Sequence, residues 1–144
     1  WVTVYETVTA GCHFDGQHYR IWKEFRFESA LRLESGNGIS QRRQLTGHSY
    51  LLRLHLSAAL DPVMNWTVDY GDVKSLFKPV YQALDHHLLD EVDGLQASDP
   101  ASIAHWIKKQ ASPLLPMLDR IDLFQTPGNG VILSWGDEGP VLPV

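Results

Sequence analysis

Histidine residues are the first candidates for chemistry in this chain, and they occur at separate places. His48 ends the segment Thr46-Gly47-His48, in which residues 46 and 48 point to the same side if the segment is a strand. Two histidines at that spacing could share a zinc ion, but the first of the two positions is threonine. On this spacing alone, a structural role for His48 is the better interpretation than metal binding.

Asp85, His86 and His87 form a second group, directly after a segment with helical periodicity. A carboxylate beside a histidine can orient its ring and raise its basicity, as general acid–base catalysis requires. Histidine is also favoured at helix ends, where it interacts with the helix dipole. These residues therefore leave both a catalytic role and a helix-end role open.

Cys12, with His13 and His18 nearby, is a further candidate for metal binding. The spacing matches no usual zinc pattern, so Cys12 is interpreted as an incidental or buried thiol. Because it is the only cysteine, an internal disulfide is excluded and a reducing, cytoplasmic location is expected. The net charge of −5 argues against a nucleic-acid partner. A membrane partner is not expected either, because no apolar run approaches the roughly 20 residues of a membrane helix.

Hydrophobic periodicity predicts the strands that must position these residues. Apolar and polar residues alternate in 20–33 and 45–57, which is typical of half-buried antiparallel strands. Gly11 and Asp15-Gly16 indicate a turn or loop, and the polar segment 34–44 indicates a further loop. Further strand-like segments are 1–8, 119–126 and 131–135.

Two helices are predicted between the central and the last strands. In 69–84 an apolar stripe repeats at helical spacing, and Pro79 falls inside it, where it should bend or shorten the helix. Asp99-Pro100 is a start signal for the second helix, with Asp99 as its cap and Pro100 in its first turn. Strands followed by helices and then strands predict an α+β domain, with the helices on one face of an antiparallel sheet.

Five segments, taken together and in order, resemble the family of 6-pyruvoyl- and 6-carboxytetrahydropterin synthases, and the bacterial carboxy-type enzymes most closely. They are FRFESALRL (25–33), LTGHSY (45–50), WTVDY (66–70), FKPVY (77–81) and LDHHL (84–88). The resemblance covers residues 21 to about 135. It implies the tunnelling fold, in which two helices pack on one face of a four-stranded antiparallel sheet, here with an extra N-terminal strand.

The resemblance implies a zinc site and a catalytic set that this chain keeps only in part. Family members bind zinc through three histidines, and the corresponding positions here are Leu31, Thr46 and His48. One imidazole cannot hold zinc tightly, because catalytic zinc sites normally have three protein ligands. The catalytic cysteine of the family corresponds to Arg42, whereas its catalytic Asp–His pair is present as Asp85 and His86.

The resemblance also implies a pterin-binding pair. Family members anchor the pterin ring through a Glu-Thr pair near the chain end, and this position reads Gln125-Thr126 here. A neutral amide cannot pair with the guanidine-like edge of a pterin as a carboxylate does. An intact pair, Glu6-Thr7, lies 119 residues earlier (125 − 6), about one family domain away.

This spacing predicts that the chain is part of a tandem repeat. Residues 1–20 would be the last strand of a preceding copy plus a linker, residues 21–136 the synthase-like domain, and residues 137–144 an irregular tail. The alternative is an unrelated N-terminal strand that happens to contain Glu6-Thr7. We favour the repeat, because the similarity continues through Cys12.

The implied activity is that of a zinc-dependent lyase acting on dihydroneopterin triphosphate. Because metal ligands, nucleophile and pterin anchor are all altered, we expect a catalytically degenerate half that binds no zinc alone. It would complete a homo-oligomeric ring through its sheet edges, beside an upstream copy. The alternative is a non-catalytic scaffold or a domain that binds a pterin or purine. A third hypothesis is zinc held by a rearranged set, His48 with His86 or His87.

Overall fold

The computed structural model describes residues 2–14, 18–33, 44–59 and 70–136. Its strands are β1 (Val2–Thr7), β2 (Ala10–Phe14), β3 (His18–Leu33), β4 (Gln44–Ala59), β5 (His87–Leu88), β6 (Leu118–Thr126) and β7 (Asn129–Ser134). The helices are α1 (Tyr70–Leu84), between β4 and β5, and α2 (Pro100–Ala111), between β5 and β6. Within these described ranges no helix is long and apolar enough to cross a membrane.

The strands form one sheet in the order β1-β2-β3-β4-β6-β7, in which every neighbouring pair is antiparallel. β3 and β4 pair from His18–Ala59 to Leu33–Gln44, so alternate residues of both strands share a face. The short β5 adds to β3 in parallel. This α+β architecture confirms the fold predicted from the sequence, with β3, β4, β6 and β7 as the four-stranded sheet and β1 and β2 as its N-terminal extension.

Both helices pack on one face of the sheet, which we call the inner face. Its strand residues in the buried core are Ile21, Phe27, Leu31, Tyr50, Leu52, Leu54, Leu56, Leu118, Ile121 and Leu123. In α1 the predicted stripe is buried at Val73, Phe77, Val80 and Leu84, whereas Leu76 is exposed, and the helix continues through the exposed Pro79. Burial of each large apolar side chain contributes about 1.5–3 kcal/mol, and together these outweigh the roughly 3 kcal/mol cost of an internal proline.

α2 begins at the residue that the sequence predicts. The Asp99 carboxylate accepts a hydrogen bond from the Ser102 N–H at 3.0 Å, and Pro100 takes the first helical position. The hydrogen bonds from Ser102 hold the pKa of Asp99 below its ordinary value. The Trp106 indole N–H donates to the Asp93 carbonyl at 2.9 Å, which attaches the preceding loop to this helix.

Gly11 lies in a strand, so the turn or loop predicted there is wrong at this residue, whereas Asp15 and Gly16 lie outside the described residues. β2 pairs with β1 on one side and with β3 on the other, which places Gly11 opposite Trp22. A Cβ atom on Gly11 would lie 2.7 Å from Cζ2 of Trp22, so the glycine marks the close approach of an indole ring. The predicted tail 137–144 and residues 34–43 of the predicted loop lie outside the described residues.

The opposite face of the sheet, the outer face, carries a buried polar network. Asp122 is fully buried and accepts hydrogen bonds from Arg120 Nε at 2.7 Å and from the His55 ring at 2.9 Å. Beside this group, the buried Arg20 forms an ion pair with Asp119. Charged groups tolerate burial when they are paired in this way, so the network ties β3, β4 and β6 together.

Candidate functional site

The register of β3 with β4 brings the three predicted metal positions together. Leu31 lies directly opposite Thr46, and His48 lies two residues further along β4, on the same face. Side chains in such positions are within about 5–8 Å of one another. Leu31 is buried and His48 is half-buried, with its ring centroid 6.3 Å from that of Tyr50. The strand register thus brings these three positions together, and we call them the Leu31–Thr46–His48 constellation. Only one of the three side chains is an imidazole.

Zinc does not fit these side chains. Leu31 offers no ligand atom and a threonine hydroxyl is not a usual zinc ligand, which leaves His48 alone. In the part of the chain that the structure describes, no group of three or more His, Cys, Asp or Glu side chains could hold a metal ion. Arg42, at the position of the family's cysteine, lies outside the described residues. No metal-dependent step is therefore assigned to this domain.

Asp85 and His86 form the predicted carboxylate–imidazole pair directly after α1. His86 Nδ1 lies 2.8 Å from Asp85 Oδ2, and Asp85 Oδ1 accepts a hydrogen bond from the Glu28 backbone N–H at 3.0 Å. Burial raises the pKa of Asp85, but the hydrogen bonds from Glu28 and His86 outweigh burial and hold this pKa below its ordinary value. Because the ionised carboxylate accepts the Nδ1 proton, Nε2 is the nitrogen that can exchange a proton with a substrate.

The backbone of His86 is held in the left-handed region, with φ of 55°. For a residue with a side chain this conformation costs roughly 1 kcal/mol or more, and such strain often accompanies function. The His86 N–H donates to the Glu28 carbonyl at 2.6 Å, and His87 Nδ1 donates to the Asp85 carbonyl at 2.7 Å, which fixes the turn. The His86 side chain is 78% exposed, so its imidazole is open to a second molecule.

Three residues not singled out from the sequence connect this pair to the sheet: Glu28, Ser49 and Tyr81. The Ser49 hydroxyl donates to Glu28 Oε2 at 2.6 Å, and the Tyr81 hydroxyl donates to the Arg26 carbonyl at 2.9 Å. Glu28 thus contacts Asp85 through its backbone and Ser49 through its side chain. The alternation of β3 indicates that Glu28 points away from the core, but its neighbours depend on strand register, which the alternation does not determine.

Gln125 and Thr126, the predicted pterin-anchor positions, line a cleft of about 510 Å³. The cleft lies at the end of β6, beyond the last pair that β6 forms with β4. Arg26 and Glu28 add opposite charges to its wall, and Ser49 adds a hydroxyl. Glu28 contacts both the cleft and Asp85, so the cleft lies next to the Asp85–His86 pair. The sequence did not indicate this proximity.

Glu6 and Thr7 do not share this cleft. They lie on β1, which β2, β3 and β4 separate from β6 in the sheet. Glu6 is exposed at a β-bulge between Tyr5 and Thr7. The pairs Glu6-Thr7 and Gln125-Thr126 therefore do not form one site within this chain.

Cys12, on β2, is half-buried and packs against the core. Burial raises the pKa of its thiol, which makes the reactive thiolate scarce. His13 points elsewhere, with Nδ1 2.7 Å from the Thr3 hydroxyl, and the side chain of His18 lies outside the described residues. These contacts are those of a structural thiol.

Known proteins resemble this chain in both sequence and fold. The family model described as 6-pyruvoyl tetrahydropterin synthase matches residues 20–134. A 6-carboxy-5,6,7,8-tetrahydropterin synthase of Synechocystis sp. is 30% identical over 112 residues, which cover 74% of this chain and 85% of that protein. The 6-pyruvoyl tetrahydropterin synthase of Caenorhabditis elegans has a similar structure, with a TM-score of 0.69, 18% identity and coverage of 86% of this chain and 100% of that one. For the Plasmodium falciparum synthase the TM-score is 0.62 at 16% identity, with 82% and 98% covered. The chain therefore belongs to the 6-pyruvoyl tetrahydropterin synthase family.

Proposed function

We propose that this chain is a 6-carboxytetrahydropterin synthase-like domain that has lost its zinc chemistry and completes an oligomeric ring. In this ring another copy of the domain supplies the metal site. The Leu31–Thr46–His48 constellation carries the proposal, because its register is intact while two of its three ligands are absent. A single imidazole holds zinc too weakly for catalysis.

The Asp85–His86 pair supports a remaining role for this domain at an interface. It keeps a carboxylate-oriented imidazole, and that imidazole is exposed on this chain. In a lyase acting on dihydroneopterin triphosphate, such a pair would move protons in a site completed by a neighbouring copy. Glu6 would anchor the pterin ring in the site of the upstream copy.

Metal content and turnover test this proposal directly. The purified chain, incubated with zinc and then desalted, should hold no stoichiometric zinc and should not convert dihydroneopterin triphosphate. One zinc per chain that only a chelator removes, with loss of activity, would overturn the proposal.

A restoration variant tests the geometric part of the argument. Leu31→His with Thr46→His should rebuild a three-histidine site around His48 and bind about one zinc per chain. The matched control is Arg32→His with Leu45→His, a directly paired position that faces the other side of the sheet. If both variants bind the same amount of zinc, the three positions do not meet as their register indicates.

The coding sequence upstream of Trp1 tests the tandem arrangement. A complete preceding copy with three zinc histidines and a cysteine is expected there. A start codon immediately before Trp1 would refute the tandem arrangement and leave the loss of zinc binding to be judged on the metal analysis alone.

The alternative proposal, a pterin- or purine-binding domain without catalysis, is supported by the cleft at Gln125. Tyr50 lines this cleft, and its buried hydroxyl has no hydrogen-bond partner in the described part of the chain, so a ligand could supply one. Titration with dihydroneopterin or guanine, followed by calorimetry, separates the two proposals. Saturable binding without turnover favours this alternative, and Gln125→Glu should then bind a pterin about tenfold more tightly, because a charge-assisted hydrogen bond replaces a neutral one.

A further inference from the structure

The cleft at the end of β6 offers a different set of hydrogen-bonding groups from the one that a carboxylate anchor would give it. Its wall carries the amide of Gln125, the guanidinium of Arg26 and the carboxylate of Glu28. Its volume of about 510 Å³ lies within the range of roughly 300–1,000 Å³ that is typical of small-molecule sites. The class of ligand can therefore be inferred by matching the donors and acceptors of the cleft to those of a ring.

An apolar floor separates Arg26 from Gln125. Arg26 lies opposite Leu51 on β4, and Leu51 lies opposite Phe124 on β6, so these three side chains share one face of the sheet. Leu51 and Phe124 are half-buried and line the cleft. Because β3 and β6 are two strand spacings apart, about 10 Å, a flat ring can stack on Phe124 between the two polar side chains.

A β-bulge directs the side chain of Gln125. The pairing of β6 with β7 shifts register between Phe124 and Thr126, which places Gln125 at the bulge. Strict alternation from Phe124 would point Gln125 to the other face of the sheet, but a bulge re-aims a side chain. Gln125 is half-buried and lines the cleft together with Phe124. The backbone thus places the amide beside the aromatic floor.

The amide of Gln125 matches a different ring edge from a carboxylate. A carboxylate only accepts hydrogen bonds, so it pairs with two adjacent N–H donors, such as those of a 2-amino-4-oxopyrimidine ring. An amide offers one accepting oxygen and one donating NH₂ group. Its match is an adjacent N–H and C=O, as in a 2,4-dioxopyrimidine ring, because two adjacent N–H donors would leave its NH₂ group facing a donor.

Arg26 favours the same class of ring. Its side chain is exposed and lines the cleft, and a guanidinium has five N–H donors and no acceptor. It therefore requires an acceptor such as a carbonyl and is mismatched with an amino group. A 2,4-dioxopyrimidine ring has two carbonyls, one for Gln125 and one for Arg26, whereas a 2-amino-4-oxopyrimidine ring has one.

Glu28 is the cleft residue that could pair with an amino group instead. One of its carboxylate oxygens, Oε2, already accepts a hydrogen bond from the Ser49 hydroxyl at 2.6 Å. The other oxygen can accept one ring N–H, and a 2,4-dioxopyrimidine ring carries an N–H on each side of its C2 carbonyl. Glu28 therefore fits both classes of ring, and the number of carbonyls available to Arg26 and Gln125 decides between them.

We propose that the cleft binds a planar heterocycle with a 2,4-dioxopyrimidine edge, of the lumazine or xanthine type, in preference to one of the pterin or guanine type. Gln125 pairs with an adjacent N–H and C=O, Arg26 donates to the second carbonyl, and the ring stacks on Phe124. The inference rests on the alternative proposal above, a binding domain without catalysis, and deepens it by naming the class of ligand.

Two ligands that differ at one position test the inference in the unmodified chain. Lumazine and pterin share the pteridine ring and differ only in an oxo or an amino group at C2. Both are fluorescent, so titrating the protein into each ligand and following its fluorescence anisotropy gives the dissociation constant. We expect lumazine to bind at least about tenfold more tightly, because pterin leaves donors of the cleft without an acceptor.

Gln125→Glu should reverse this preference. A carboxylate beside a ring carbonyl brings two acceptors together, so lumazine should bind about tenfold more weakly and pterin about tenfold more tightly. Arg26→Ala should weaken lumazine binding about tenfold through loss of the donor to its second carbonyl. The matched control is Arg32→Ala, which removes a guanidinium from the same strand and face but outside the cleft, and should leave both dissociation constants unchanged.

Pterin binding as tight as lumazine binding in the unmodified chain overturns the inference but keeps the binding function. If neither ligand binds saturably, the inference and the alternative proposal both fall, whereas the proposed loss of zinc chemistry is tested separately by the metal analysis. A folded Gln125→Glu variant that still prefers lumazine also overturns the inference, because the amide then does not select the ring edge. If that variant does not fold in a thermal unfolding assay, the comparison of the two ligands in the unmodified chain decides.

Discussion

Replacing Asp122 by asparagine tests the buried network on the outer face. The Asp122 carboxylate accepts hydrogen bonds from His55 Nε2 at 2.9 Å and from Arg120 Nε and Nη2 at 2.7 and 3.0 Å. Asparagine has nearly the same shape, but its amide is neutral, so Arg120, which is 1% exposed, loses this carboxylate charge. Removing one partner of a buried ion pair costs about 3–5 kcal/mol, and we expect the free energy of unfolding to fall by this amount.

Urea unfolding measures this loss. At a slope of about 2 kcal/mol per molar urea, the midpoint should fall by about 2 M. The matched control is Glu91→Gln, which removes the carboxylate from the Arg32–Glu91 pair, where N and O are 3.3 Å apart and the side chains are 37% and 68% exposed. Because solvent screens this pair, its loss should cost about 1 kcal/mol, a midpoint shift of about 0.5 M. Equal shifts for the two variants would show that burial does not set the strength of the network.

Three further predictions concern stability. Burial lowers the pKa of His55, so the unfolded chain binds a proton that the native chain does not; stability should therefore fall as the pH drops below about 6.5, and His55→Gln should flatten that part of the unfolding profile. Gly11→Val should lower stability by about 1–3 kcal/mol because of its contact with Trp22, whereas Gly47→Val, which meets no atom within 4 Å, should be nearly neutral in the same thermal unfolding assay. Asp99→Ala should cost about 1 kcal/mol through loss of the α2 cap; an unchanged free energy of unfolding in guanidinium would contradict that role.

The elements with a clear period were predictable from the sequence. The apolar stripe predicted α1 because Val73, Phe77, Val80 and Leu84, which recur about once per helical turn, all face the core. The Asp99-Pro100 signal is local, so it could be recognised without knowledge of the fold. The alternation of apolar and polar residues in β3 and β4 predicted which side chains face the core, because this pattern is also local to each strand.

The features that depend on distant residues could not be predicted in this way. Glycine is a common turn residue, so the sequence predicted a turn or loop at Gly11. The reason for this glycine is instead the indole of Trp22, which lies across it from the next strand and cannot be inferred from the local sequence. The burial of Asp122 could not be predicted, because its partner His55 lies 67 residues away in the sequence. The contact of Glu28 with Asp85 spans 57 residues and depends on where α1 ends relative to β3.

The pairing of β2 with β3 affects where this protein can be divided for expression. The family match begins at residue 20, yet Trp22 is 4% exposed and lies beside β2, which precedes that boundary. A truncated chain that begins at residue 20 would uncover the indole and leave an unpaired edge prone to aggregation. In a tandem chain the unit that is duplicated and the unit that unfolds cooperatively would then be offset by one hairpin. Each copy would then depend on a hairpin encoded with its neighbour, and unfolding of one copy would destabilise the next.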